Sequence, residues 1–178
     1  MHDYQDLINI FKSCFFETYN TLLIKGEEDP IYLPASKEKP YNAIYFAKVY
    51  YASALHECSH WFIAGPSRWH LEDFGYWYKA EGRNEEEQTQ FQLVEVKPQA
   101  IEWILSKSAG FRFYVSIDNL HTPNWDSSEF KNKVYEQVKT YLEKGLPKRA
   151  EIFRLALAKF YQTPDYLNLS HFDINEIM

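Results

Sequence analysis

The chain has 178 residues, with 19 Lys+Arg against 25 Asp+Glu and a formal net charge of −6. That length suits one catalytic domain around one core, and the acidic balance argues against binding nucleic acid through a generally basic surface. An aromatic content of 18% argues against disorder; two cysteines, no secretory leader and no apolar run of membrane-spanning length make the expected setting cytoplasmic, without a disulfide framework or membrane partner.

Asp3 to Ile24 places Leu7, Ile10, Phe11, Cys14, Phe15, Thr18 and Leu22 at helical spacing, which predicts an amphipathic helix. Gly26 to Pro40, with prolines at 30, 34 and 40, breaks regular structure. Asn42 to Ala64 then reads as a largely buried helix, with Asn42 as its N-cap and Gly65-Pro66 as its stop. Leu71 to Tyr78 (LEDFGYWY) suits a short strand and Lys79 to Arg83 a turn.

Asn84 followed by Glu85, Glu86 and Glu87 marks a helix start, since Asn caps and acidic side chains favour the first turn. That helix runs to Ser108 and stops at Gly110, with a kink or restart expected near Glu95 because of Pro98. Phe111 to Ile117 (FRFYVSI) predicts a second strand beside the first. Helices over Ser128–Lys144 and Pro147–Tyr161 follow, the second with proline at its first position. The expected fold is α+β and mainly helical. Residues 1–162 form one metal-binding domain, a small β element packed on a helical core, and residues 163–178 form a C-terminal tail.

His56-Glu57-Cys58-Ser59-His60 carries the chemistry. Residues i and i+4 of a helix share a face about 6 Å apart along the axis. Two neutral imidazoles there can grip one divalent ion, and the intervening glutamate can reach what binds beside it. Cys58 points away from that face and reads as a packing residue. A third ligand is needed, and Glu95 is the first choice: an unpaired carboxylate between Val94 and Val96 would be costly. Asp73 is the alternative, with His70 and His121 behind it. Zinc with a bound water would make Glu57 the general base of a metallopeptidase. Fe(II) would form a facial two-histidine, one-carboxylate set with open positions. Spacing does not choose between the metals, and a binding module with a structural metal is a third reading.

The blocks HECSHWFIAG at 56–65, DFGYWY at 73–78, GR at 82–83, QTQFQLVEVKPQA at 88–100 and VSIDNL at 115–120 together resemble the elongation factor P hydroxylase family. The resemblance implies an iron-dependent monooxygenase that uses molecular oxygen, with zinc as another occupant on purification. Its implied substrate is the lysine side chain of elongation factor P that has received a β-lysyl group. His56 and His60 match the family's metal-binding helix, Glu95 matches the glutamate of its VEVKPQA block, and Glu57 matches the central acid, implied to be catalytic. Gln92 departs from the pattern, which is expected to carry an acid there. Tyr76, Trp77 and Tyr78 are expected to line the path of a long, cationic aliphatic chain.

Overall fold

A computed structural model describes residues 1–73, 84–116 and 126–177 of the chain. The elements, in chain order, are α1 (Tyr4–Tyr19), β1 (Thr21–Lys25), β2 (Ile31–Leu33), β3 (Asn42–Phe46), α2 (Tyr51–Ile63), α3 (Glu85–Ala109), α4 (Ser128–Lys144) and α5 (Lys148–Tyr161). The mainly helical α+β class holds, but the sheet is built from residues other than those expected. Its strand order is β1-β3-β2, with β1 parallel and β2 antiparallel to β3.

The first helix is shorter than its periodicity implies. Asn20 adopts a left-handed conformation (φ 49°) and ends α1, after which Thr21-Leu-Leu-Ile-Lys25, rich in branched residues, pairs with β3. Gly26 turns the chain where a Cβ would lie 2.9 Å from the Phe46 carbonyl oxygen, and its own N–H donates to that oxygen. The supposedly irregular stretch from 26 to 40 contains β2.

The expected helix over Asn42–Ala64 is in fact a strand followed by a helix. Asn42–Phe46 is the central strand and α2 starts only at Tyr51. Asn42 is no N-cap: its side-chain oxygen accepts from the Ala35 N–H and its amide donates to the Tyr19 carbonyl. A continuous apolar run fits either element, and pairing on both edges makes Asn42–Phe46 a strand. Lys48, with φ 54°, breaks the backbone between the two.

The capping prediction at Asn84 is borne out by reciprocal bonds: the Glu87 N–H donates to the Asn84 side chain, and the Asn84 N–H donates to the Glu87 carboxylate. The restart expected near Glu95 because of Pro98 does not occur, and α3 runs unbroken to a left-handed Gly110 (φ 64°). Pro98 cannot donate to the Val94 carbonyl, yet the helix is gripped on two sides. Ile101, Leu105 and Ala109 enter one core with α1, α2 and α5; Ala100, Trp103 and Ile104 enter a second with α4. Packing outweighs the missing bond.

Phe111–Ser116 is not a strand, and Ile117 lies outside the described residues. The Gln99 side chain stands where a neighbouring strand would, accepting from the Ser116 N–H and donating to the Ser116 carbonyl. Phe113 stacks on Trp103. Asp73 makes an isolated antiparallel bridge to Tyr32, while residues 74–78 of the other expected strand lie outside the described residues. The helices over α4 and α5 occur where expected, with Pro147 as the N-cap of α5 instead of its first residue. Residues 163–177 are not an extended tail. Two 3₁₀ turns bring Phe172 and Ile177 into the second core, both nearly fully buried. Among the described residues, no helix is long and apolar enough to cross a membrane.

Candidate metal centre

His56, Glu57, His60, Trp61 and Ala64 all belong to α2 and the residue that caps its end, and Leu55, Cys58, Phe62 and Trp61 itself enter the first core. The buried Cys58 therefore fits the packing role expected of it. Facing this helix is an unusual stripe on α3: Gln88, Gln92, Glu95, Gln99, Glu102 and Ser106 recur at alternating steps of four and three, and all are buried. Polar side chains at that spacing form one face. Burying six of them is favourable only when partners await them.

Three side chains converge between the helices. His60 Nε2 lies 3.0 Å from Glu95 Oε1, His56 Nε2 lies 3.5 Å from Glu95 Oε2, and the two Nε2 atoms are 3.1 Å apart. Donors held about 2.1 Å from one ion are about 3.0 Å apart at right angles and about 3.4 Å apart at the tetrahedral angle. Two of the separations fall in that range and the third lies just beyond it, and His56, His60 and Glu95 form a group able to hold a metal ion.

Each donor is itself oriented. His56 Nδ1 lies 2.7 Å from Glu102 Oε2; donating there fixes the tautomer and turns the Nε2 lone pair toward the centre. Gln99 is held by Ser116 so that its amide N–H₂ faces Glu95 Oε2 at 3.2 Å. Burial would lower the basicity of His56, but the carboxylates of Glu102 and Glu95 outweigh it and raise its pKa to about 10. Burial pushes Glu95 up, and His60 and His56 reverse this and hold it well below the usual carboxylate range. Burial raises Glu57 and Glu102, with His56 opposing in both cases. Three carboxylates surround two imidazoles, so the centre has a surplus of negative groups that a divalent cation would balance.

A cavity of about 170 Å³ opens beside the centre. Glu57, His60, Trp61 and Ala64, spaced i, i+3, i+4 and i+7, present one helical face to it, and Tyr32 and Trp69 add further wall. Arg149 braces this wall from α5. Its guanidinium lies 4.1 Å from the Trp61 ring centre and 4.7 Å from that of Trp69, and Nη2 donates to the Ala64 carbonyl at 2.6 Å, at the carbonyl-rich end of α2.

Of the residues singled out from sequence, His56, His60 and Glu95 come together, and Glu57 lines the adjoining cavity. Asp73, the alternative ligand, instead pairs with Arg68 at 2.6 Å, and His70 is exposed. Tyr76, Trp77, Tyr78 and His121 lie outside the described residues. Sequence reasoning missed Glu102 and Gln99, although both carried a signal: Glu102 follows Glu95 by seven residues, Gln99 by four, and both sit among apolar neighbours. It also missed the cavity residues Tyr32, Trp61 and Trp69 and the brace Arg149, whose roles depend on elements distant in the chain.

Comparison with known proteins adds an independent line. The model of a family described as elongation factor P hydroxylase matches residues 10–172. The chain is also 60% identical, over 173 residues covering 97% of each sequence, to a Haemophilus influenzae protein called elongation factor P lysine hydroxylase.

Proposed function

The chain belongs to the elongation factor P hydroxylase family, and from that premise we propose that it hydroxylates a lysine side chain of elongation factor P, the β-lysyl-modified one, with iron held by His56, His60 and Glu95. The observation that carries the metal assignment is the convergence of three side chains from two helices, with the two Nε2 atoms 3.1 Å apart and 3.0 and 3.5 Å from the two Glu95 carboxylate oxygens. Iron(II), when bound there, supplies dioxygen activation: one oxygen atom enters a substrate C–H bond and the other leaves as water, with two electrons from an external reductant.

The protein's own groups do the rest. Glu102 keeps His56 in the tautomer that offers Nε2, and Gln99 keeps the Glu95 carboxylate turned inward. His60 belongs to both the centre and the cavity wall, so a side chain lying in the cavity passes next to the metal ligands. The apolar faces of Trp61 and Trp69 suit methylene groups and exclude water from the reacting carbon. Glu57 is the catalytic acid of the motif in the sense that it reaches the substrate. Tyr76, Trp77 and Tyr78 are proposed to extend the same path.

The test is mass spectrometry of β-lysyl-modified elongation factor P incubated with the Fe(II)-loaded protein, oxygen and a reductant. The expected result is a gain of one oxygen atom on the modified lysine, absent with Glu95→Ala, which also loses stoichiometric metal while keeping its helical circular dichroism. Cleaved peptide bonds in place of added oxygen would favour a zinc peptidase, and full metal retention by Glu95→Ala would remove Glu95 from the ligand set.

A further inference from the structure

Glu57 is half-buried and lines the cavity beside His60, yet among the described residues its carboxylate has neither a hydrogen bond nor an ion pair. Its neighbours in the site are all engaged: Glu95 with both histidines and Gln99, Glu102 with His56, and Asp73 with Arg68. Nor does Glu57 belong to the group whose donor atoms converge; it follows His56 by one residue, a rotation of about 100° around α2. A carboxylate withdrawn from bulk water with no hydrogen-bond or ion-pair partner of its own, and only the field of His56 and His60 to offset burial, is costly, and an arriving cation would relieve that cost.

Its surroundings favour an organic cation over a metal. Tyr32, Trp61 and Trp69 contribute aromatic surface to the same cavity, which suits methylenes along ring faces and an ammonium near their edge with the carboxylate. Glu57 and His60 are three residues apart on one helical face, so an ammonium held at Glu57 leaves the adjoining methylenes beside the metal-binding histidine.

We propose that Glu57 is the substrate anchor: its carboxylate binds an ammonium group of the lysine-type side chain in the cavity and so sets which carbon lies against the metal centre. This rests on the reading of the substrate as a modified lysine. It assigns Glu57 recognition, not general-base chemistry, which C–H hydroxylation does not require of it.

The test uses the full chain, metal-free and Zn(II)-loaded, titrated with a synthetic peptide carrying β-lysyl-lysine and followed by the fluorescence of the cavity tryptophans. Glu57→Gln should weaken binding by about tenfold or more, the usual cost of losing a desolvated charge pair. Acetylating the peptide amines should weaken wild-type binding by a similar factor and add little to the loss in Glu57→Gln. Asp73→Asn should keep the wild-type preference for the charged peptide. Equal binding by Glu57→Gln and wild type, absence of wild-type binding, the loss falling on Asp73→Asn instead, or loss of bound zinc from Glu57→Gln would each overturn the anchor. Oxidation of elongation factor P is scored separately: protein that binds the peptide through Glu57 but adds no oxygen refutes the proposed activity and leaves the anchor standing.

Discussion

Glu102 offers a sharp test of how the centre is built, because it touches the metal site only through His56. The 2.7 Å contact to His56 Nδ1 joins an imidazole to a nearly buried carboxylate. Such a bond fixes the ring and raises the basicity of Nε2. Removing a partner of this kind lowers metal affinity by about 10–100-fold, or about 1.4–2.8 kcal/mol. Glu102→Ala should show that loss for both Zn(II) and Fe(II) in chelator-competition titrations. Glu102→Gln should fall between, since its carbonyl still accepts from Nδ1–H without the charge. Metal-free stability should fall as well, because the protonated His56 ring loses its partner at 2.7 Å and keeps only Glu95 at 3.5 Å, so affinity is scored on protein that stays folded. Affinity within about twofold of wild type in Glu102→Ala would refute the orienting role.

Metal binding should depend on pH through His56. Its metal-free pKa of about 10 means that the ring carries a proton at neutral pH that the ion must displace from Nε2; affinity therefore rises with pH by about tenfold per unit for that proton, and falls on acidification. Calorimetric titrations in buffers of different ionisation enthalpy should register the release, and buffer-independent heats would contradict it. Arg149→Ala should destabilise the fold by about 2–3 kcal/mol in urea melts, losing the bonds to the Ala64 and Phe62 carbonyls and the stacking on Trp61 and Trp69; an unchanged midpoint would mean that the brace carries no energy. Phe172→Ala should cost about 3 kcal/mol, because the ring sits edge-on against Trp103 in the second core, and wild-type stability in that variant would return residues 163–177 to the status of a dispensable tail.

The elements that could be read from the sequence are those whose signals are local. The Asn84 box, the Gly110 stop and the periodic faces of α4 and α5 depend on residues within one or two turns. The i, i+4 histidines are local in the same sense, and helical geometry alone places them on one face. Buried apolar runs carry no such mark. Asn42–Phe46 and Thr21–Lys25 have the composition of either a strand or a buried helix, and they became strands only because each found the other as a partner across some twenty residues.

The centre divides along the same line. His56, Glu57 and His60 were fixed as a unit by the helix that carries them, and the carboxylate at 95 could be guessed from its apolar neighbours. That Glu95 reaches both histidines and that Glu102 reaches His56 were decided by how α2 packs on α3, and that Gln99 is locked by Ser116 by how the chain folds back after α3. A sequence determines which side chains share a helical face, because that geometry repeats every few residues. Which faces meet is decided by the whole core, and here it is the meeting of two polar stripes inside an apolar interior that makes a metal centre.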